Sequence, residues 1–264
     1  MNKDVKLLQG IINILENYDS EYSNSDRAII DGLNRIFNDA EFESKVNRDE
    51  KGRFAKKNSK SIEFKQISQQ AINESRKQLN NLSKSEIDAI KRYTDDNAYT
   101  TINSYLRGEI DKNQISAESL NAINLIESGL KNTHIPENII VYRGVNHEFA
   151  MNVFSNEISD IMMETHYNIK TISDNDLNKI QKEILNKEFI DEGFVSTSYT
   201  KDAAFDRMIL FEINVPKGTN GVVVDKISKL RELEKEILLN KGYKFEITNI
   251  EYNEKWLLYA NLII

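Results

Sequence analysis

Cysteine is absent from the 264 residues, which excludes disulfides, thiolate nucleophiles and cysteine metal sites. The three histidines, His134, His147 and His166, lack the HExxH spacing of zinc hydrolases. No run approaches the ~18 consecutive apolar residues of a membrane span. The formal net charge of -7 argues against non-specific nucleic-acid binding, which needs a basic surface. We therefore expect a protein with neither a membrane nor a nucleic acid as its partner.

The first residues, MNKDVK, contain no apolar core and no small-residue cleavage site. They predict no Sec signal peptide, so a soluble protein would reach another cell only by other means. Residues 5–15 and 28–37 have helical apolar spacing. Residues 45–60 hold seven basic and two acidic residues, which is typical of a solvated tether or a polyanion-binding arm. We predict an N-terminal helical extension and basic linker over residues 1–60.

Residues 61–264 are predicted to form a second domain. The pattern of apolar residues changes at Pro136. Helical spacing precedes it, including an S-x-x-E capping box at residues 83–86, and strand-like runs follow it. Helical patterns at residues 150–163 and 174–186 interrupt those strands. The predicted strands cover residues 139–142, 194–197, 209–215, 222–225, 236–239, 245–250 and 256–264. Helices followed by strands with short turns indicate an α+β fold with mostly antiparallel pairing.

Three short motifs lie at or beside these strands. Arg143 and Gly144 end the first strand, Ser196-Thr197-Ser198 follows Phe194-Val195, and Glu234 and Glu236 flank Lys235. Arginine suits phosphate, hydroxyls can orient a ribose or a carboxylate, and a carboxylate can stabilise an oxocarbenium ion. In extended backbone both glutamates would share one face. Each motif alone also fits an edge salt bridge, satisfied hydroxyls or a solvated acidic face.

In this order, YRG, FVSTS and EKEILL resemble the Arg/Ser-Thr-Ser/Glu-x-Glu signature of arginine-specific mono-ADP-ribosyltransferases. The chain is similar to the enzymatic components of clostridial actin-modifying binary toxins and to the vegetative insecticidal proteins. The segments AIKRYT and INSYLR extend the resemblance over about two-thirds of the chain. It implies an ADP-ribosyltransferase fold of two packed, mostly antiparallel sheets with flanking helices and the NAD cleft between the sheets.

The resemblance also implies residue roles. Arg143, with Gly144, would bind the NAD phosphate and ribose region, and Ser196 would orient Glu236. Glu236 would bind the nicotinamide-ribose 2′-hydroxyl and stabilise the oxocarbenium ion, while Glu234 would receive the acceptor guanidinium. The remaining NAD-binding residues that it implies are Thr197, Ser198, Phe205, Arg207, Tyr93, Asn103 and Arg107. For Tyr93 and Asn103, simple packing or surface roles stay open.

The implied activity consumes NAD as a substrate, requires no metal and modifies an arginine of a target protein, because asparagine-specific relatives carry Gln where Glu234 stands. Arg231 occupies a position where actin-modifying relatives usually have an aromatic residue, so actin does not follow as the target. The segment RDEKGRFAKK resembles bacteriophage structural proteins, which fits a toxin, effector or phage-borne enzyme acting in the cytosol of a target cell. The N-terminal region would then hold a delivery or virion partner. The alternatives are an NAD glycohydrolase and a catalytically idle binding or virion module.

Overall fold

The structure is a computed structural model that describes residues 63–94, 98–228, 235–253 and 255–264, together with residues 47–48 and 54–55. The chain divides into two compact units, Met1–Ile62 and Glu63–Ile264. In the first unit, strands β1 (Asn47–Arg48) and β2 (Phe54–Ala55) pair antiparallel. These two short strands lie inside the segment predicted to be a linker. The helices predicted at residues 5–15 and 28–37 lie outside the described residues.

The second unit begins with four helices: α1 (Gln69–Gln78), α2 (Lys84–Tyr93), α3 (Ala98–Leu106) and α4 (Ala117–Lys131). A serine side chain caps three of them at the N-terminus, where unpaired backbone N–H groups need an acceptor. The capping box predicted at α2 is confirmed: Glu86 N–H donates to the Ser83 hydroxyl, and the Glu86 carboxylate accepts from Ser83 N–H at 2.8 Å.

Three further helices follow the first long strand: α5 (His147–Val153), α6 (Asn156–His166) and α7 (Asp174–Ile184). The prediction of one helical stretch over residues 150–163 is wrong in detail, because the chain breaks between α5 and α6. Phe154 is extended there, and the Ser155 side chain starts a new helix by accepting from Ile158 N–H. Local capping chemistry thus interrupts an apolar pattern that reads as continuous.

The strands of this unit are β3 (Ile139–Val145), β4 (Glu188–Asp191), β5 (Val195–Ser198), β6 (Ile209–Val215), β7 (Gly221–Val223), β8 (Glu236–Leu239), β9 (Tyr243–Asn253) and β10 (Lys255–Ile263). Their hydrogen-bonded order is β4-β9-β10-β6-β3-β5-β8-β7. All neighbours are antiparallel except β10 and β6. Sequence patterning did not predict β4, which has four residues and one fully buried side chain.

The sheet has two halves that meet at a single residue pair, Tyr142 with Ser198, between β3 and β5. In the smaller half, alternate residues of β8 face different cores. Ile237 and Leu239 join the larger apolar cluster with strands β3, β6, β9 and β10, whereas Leu238 joins a second cluster formed with α2, α3 and α4. The small half is therefore packed between the large half and the helices, and the predicted α+β fold is confirmed.

Candidate active site

Arg143 lies near the end of β3, opposite Phe211 of β6, with its side chain mostly buried. The next residue, Gly144, contacts the backbone of the segment that carries Phe205. A Cβ atom placed on Gly144 would lie 2.0 Å from the Phe205 carbonyl oxygen and 3.1 Å from Cγ of Arg207. A side chain is thus excluded at Gly144, and the tight fit brings Phe205 and Arg207 to the end of the strand that carries Arg143.

Two arginines converge on Asp191, the last residue of β4. Arg143 Nη1 donates to Asp191 Oδ2 at 2.8 Å, while Arg107 Nε and Nη2 donate to Oδ1 and Oδ2 at 2.9 and 3.1 Å. The side chain of Asp191 is 1% exposed, whereas those of Arg107 and Arg143 are 24% and 15% exposed. Two guanidinium groups are therefore fixed side by side at the protein surface by one buried carboxylate.

Electrostatics keep this cluster ionised. Burial raises the pKa of Asp191, but the positive charges of Arg143 and Arg107 and the Gly193 N–H outweigh it and hold the pKa below its ordinary value. Burial likewise lowers the pKa of Arg107, and Asp191 more than offsets this effect, so the net shift is upward. Sequence reasoning missed Asp191, because an aspartate among 42 acidic residues carries no local signal.

Tyr93 of α2 and Asn103 of α3 hold the backbone that leads into β5. Asn103 Oδ1 accepts from Phe194 N–H at 3.0 Å, and the Asn103 amide donates to the Phe194 carbonyl oxygen at 3.2 Å. The Tyr93 hydroxyl accepts from Asn103 and donates to the same carbonyl oxygen. Both residues are buried. Their hydrogen bonds connect the backbone that precedes β5, the strand of the Ser-Thr-Ser run, to helices α2 and α3.

Burial raises the pKa of Tyr93 well above its ordinary value, and the negative charge of Glu236 adds to this effect. The hydroxyl therefore keeps its proton and acts as a donor to Phe194. Since Arg143 and Arg107 also influence this pKa, the tyrosine lies within electrostatic range of both arginines and of the glutamate. The predicted residues of the helical and strand regions are thus brought into one neighbourhood.

Ser196 and Glu236 are in contact across the small half of the sheet. Ser196 Oγ donates to Glu236 Oε1 at 2.7 Å, and Glu236 is 3% exposed. In register, Ser198 pairs with Glu236, so Ser196 and Ser198 share the face on which the glutamate lies. Thr197 points the other way, and its hydroxyl donates to the Ile237 carbonyl oxygen at 2.9 Å. The Ser-Thr-Ser run thus orients the carboxylate from one side and stabilises the strand from the other.

The backbone between the two glutamates departs from the extended geometry predicted for it. Lys235 has a φ of 46°, in the left-handed region that a residue with a Cβ seldom adopts. The reasoning that an extended chain would place Glu234 and Glu236 on one face therefore does not hold at Lys235. Glu234 itself lies outside the described residues, as does Arg231.

Phe205 and Arg207 lie in the segment that follows a 3-10 turn at Lys201–Ala203. Phe205 is 51% exposed, and the Arg207 guanidinium carbon lies 5.7 Å from the centre of its ring. A half-exposed aromatic ring beside a cation offers a stacking surface for a planar ligand. Contact with Gly144 places this surface next to Arg143.

The donor set fits a dinucleotide. Arg107 and Arg143 are permanently charged, and the N–H groups that do not bond to Asp191 suit a pyrophosphate. Phe205 offers a face to a pyridine or purine ring. Glu236, held by Ser196, supplies a carboxyl group in a fixed orientation. Among the described residues no group of three or more His, Asp or Glu is placed to hold a metal ion, and none of their helices is long and apolar enough to cross a membrane. Fold and site together fit an enzyme whose substrate is a nucleotide with a pyrophosphate.

Comparison with known proteins agrees. Residues 68–261 match the family described as ADP-ribosyltransferase exoenzyme. Mono-ADP-ribosyltransferase C3 of Clostridium botulinum C phage is 27% identical over 184 residues, covering 69% of this chain and 72% of the relative. NAD(+)--arginine ADP-ribosyltransferase EFV of Enterococcus faecalis is 26% identical over 170 residues, covering 64% of this chain and 30% of the relative. The structure of C3stau2 from S. aureus with NAD superposes with a TM-score of 0.62 at 21% identity, covering 74% of this chain and 93% of that one.

The chain belongs to the ADP-ribosyltransferase exoenzyme family. The prediction of an ADP-ribosyltransferase that uses NAD as its substrate is thereby confirmed, and so is the family inferred from the three motifs. The individual roles of the site residues, the acceptor and the means of delivery stay predictions.

Proposed function

We propose that this protein splits NAD and transfers its ADP-ribose to an arginine side chain of a target protein. The observation that carries the proposal is the Ser196–Glu236 hydrogen bond of 2.7 Å. It fixes the carboxylate that cleavage of the nicotinamide–ribose bond requires, while Asp191 holds the two guanidinium groups that we propose bind the phosphates.

In the proposed reaction Arg143 and Arg107 bind the pyrophosphate and so set the position of the nicotinamide ribose. The bond between C1′ and the nicotinamide nitrogen breaks, and its electron pair leaves with the neutral nicotinamide. Positive charge develops on C1′ and the ring oxygen, as in glycoside hydrolysis. Glu236, oriented by Ser196, accepts a hydrogen bond from the ribose 2′-hydroxyl and stabilises this charge. Phe205 packs against the nicotinamide ring.

Glu234 is the residue from which we infer arginine as the acceptor. A carboxylate can hold a guanidinium by charge-assisted hydrogen bonds and take up its proton as the guanidinium nitrogen bonds to C1′. A glutamine in its place could do neither as well. The similarity to EFV, which is named an arginine ADP-ribosyltransferase, supports the same acceptor.

The biological setting that we propose is a toxin-like or phage-borne effector acting on a protein inside a target cell. Similarity to the C3 enzyme of a Clostridium botulinum phage supports it. Under this proposal the N-terminal unit, Met1–Ile62, serves delivery or attachment, and Glu63–Ile264 is the catalytic domain.

The test is to incubate the purified protein with labelled NAD and lysates of bacterial and animal cells, beside Glu236→Gln and Glu234→Gln. We expect labelled protein from wild type only, with mass spectrometry locating the label on arginine. Glu236→Gln should release no nicotinamide, whereas Glu234→Gln should release it without labelling arginine. Nicotinamide release by wild type without labelled protein would show a glycohydrolase instead. If wild type gives neither nicotinamide release nor labelled protein, the protein is an idle binding module.

A further inference from the structure

A second buried ion pair lies outside the site described so far. Asp225, the second residue after β7, is fully buried, and its carboxylate accepts three hydrogen bonds. Arg76 of α1 donates to it through Nε at 3.0 Å and Nη2 at 2.5 Å, and the Tyr199 hydroxyl donates at 3.0 Å. We call these three residues the Asp225 cluster.

The Asp225 cluster lies at the base of the chain segment that carries Glu234. Two backbone hydrogen bonds join the ends of this segment to the sheet: Val224 N–H donates to the Glu236 carbonyl oxygen at 3.0 Å, and Tyr199 N–H donates to that of Lys235 at 3.0 Å. Tyr199 also follows directly after the Ser-Thr-Ser run. Thus one residue, Tyr199, contacts the start of the segment through its hydroxyl and the end through its backbone.

A buried ion pair is a poor way to gain stability alone, because the loss of hydration offsets much of the attraction between the charges. The ion pair does fix the orientation of the Asp225 carboxylate, since a bidentate guanidinium and a phenol hydroxyl bind a carboxylate only within a narrow range of orientations. Asp225 lies in the chain that leaves β7, so this part of the backbone is held as well. The left-handed φ of Lys235 at the other end shows that the backbone there is also held in an unfavourable conformation.

We propose that Arg76, Asp225 and Tyr199 are positioning residues that hold the two described ends, at Asp225 and at Lys235, of the segment bearing Glu234. They would thereby decide how ADP-ribose is divided between an arginine acceptor and water. This inference rests on the proposed function. It assigns the cluster no contact with NAD, so the cleavage of NAD should depend on it far less than transfer does.

The experiment compares Tyr199→Phe with wild type. Two rates are measured on purified protein with NAD: nicotinamide release without acceptor, and ADP-ribose transfer to agmatine, a small guanidino compound. Losing a hydrogen bond to a charged partner should slow transfer by about ten-fold, with nicotinamide release within about two-fold of wild type. Asp225→Asn should shift the ratio of transfer to release in the same direction and further.

Tyr243→Phe is the matched control. The Tyr243 hydroxyl also bonds to the chain beside β7, accepting from Asn220 N–H at 2.8 Å, but at the opposite end of that strand. The Tyr243→Phe substitution should lower the melting temperature without changing the ratio of ADP-ribose transfer to nicotinamide release. An unchanged ratio in Tyr199→Phe, or an equal change in Tyr243→Phe, would overturn the inference and leave the proposed function intact. Absence of transfer to agmatine and to protein arginine by wild type would overturn both.

Discussion

Arg143 and Asp191 are 48 positions apart in the chain and share a hydrogen bond of 2.8 Å. The same carboxylate also holds Arg107, so one buried residue orients the two guanidinium groups expected to bind the NAD pyrophosphate. Such preorganisation lowers the cost of ordering side chains when a ligand binds. Asp191 is therefore the residue on which the arrangement of Arg107 and Arg143 depends.

Replacing Asp191 with asparagine should weaken NAD binding. Two neighbouring positive charges would lose the buried carboxylate that holds them, and they would repel each other. We expect the KM for NAD to rise by about ten-fold and the melting temperature to fall, as measured by steady-state nicotinamide release and thermal unfolding. Glu192→Gln is the control, because Glu192 is the exposed neighbour. Equal KM values in the two variants would contradict a role for Asp191.

Ser196→Ala should slow catalysis more than it weakens NAD binding. Without the 2.7 Å hydrogen bond, Glu236 loses a contact that orients its carboxylate. We expect kcat for nicotinamide release to fall by about 10- to 100-fold, with little change in KM. Ser128→Ala removes a comparable serine–glutamate hydrogen bond, to Glu86 at 2.8 Å, on the exposed helical surface. It should leave kcat unchanged, and a similar loss in both variants would argue for a general effect on folding.

Gly144→Ala should impair NAD turnover by displacing the segment that carries Phe205. The added Cβ would lie 2.0 Å from a backbone oxygen, which cannot move aside as a flexible side chain would. We expect a loss of at least ten-fold in kcat/KM, about 1.4 kcal/mol or more. Gly129→Ala, in helix α4, would meet side-chain atoms no closer than 3.4 Å and should be neutral or slightly stabilising. Wild-type kinetics for Gly144→Ala would show that Phe205 does not depend on this contact.

Asp176 should make part of the stability depend on pH. Hydrogen bonds from Lys170 and Ser173 lower the pKa of this carboxyl to about 2. Because the pKa is lower in the folded state, ionised Asp176 stabilises the fold. This stabilisation is complete when the pH is above the pKa of an aspartate in the unfolded chain, about 3.9, and it is lost as the pH falls towards 2. The difference in melting temperature between wild type and Asp176→Asn should therefore narrow from pH 7 to pH 3.

Asp174→Asn, in the same helical turn, provides the comparison, since Asp174 is exposed and Lys170 pairs with Asp176. Its melting-temperature difference from wild type should change less over the same pH range. A constant difference for Asp176→Asn would contradict the pKa shift.

Local chemistry made much of the site predictable. The Ser-Thr-Ser run ends one strand, Glu236 begins another and Arg143 lies near the end of a third. The apolar patterns of these strands are visible in the sequence, so the place of the three motifs on the sheet followed from them. The capping box at Ser83 is a contact between residues three apart, and it formed as predicted. Where apolar spacing and a helix cap compete, the spacing gave a wrong prediction. Residues 150–163 have the apolar spacing of one helix, but the cap at Ser155 divides them between two.

The sequence by itself determined the fold class and the family and predicted which residues would bind NAD, because strand alternation, helix caps and short motifs are properties of neighbouring residues. Tertiary structure alone decided that Asp191 joins Arg107 and Arg143, that Arg76 and Tyr199 meet at Asp225, and that Lys235 is left-handed. Ion pairs between distant residues depend on how strands and helices pack, and the strain at Lys235 persists only because the surrounding hydrogen bonds impose it. No local pattern encodes either of them.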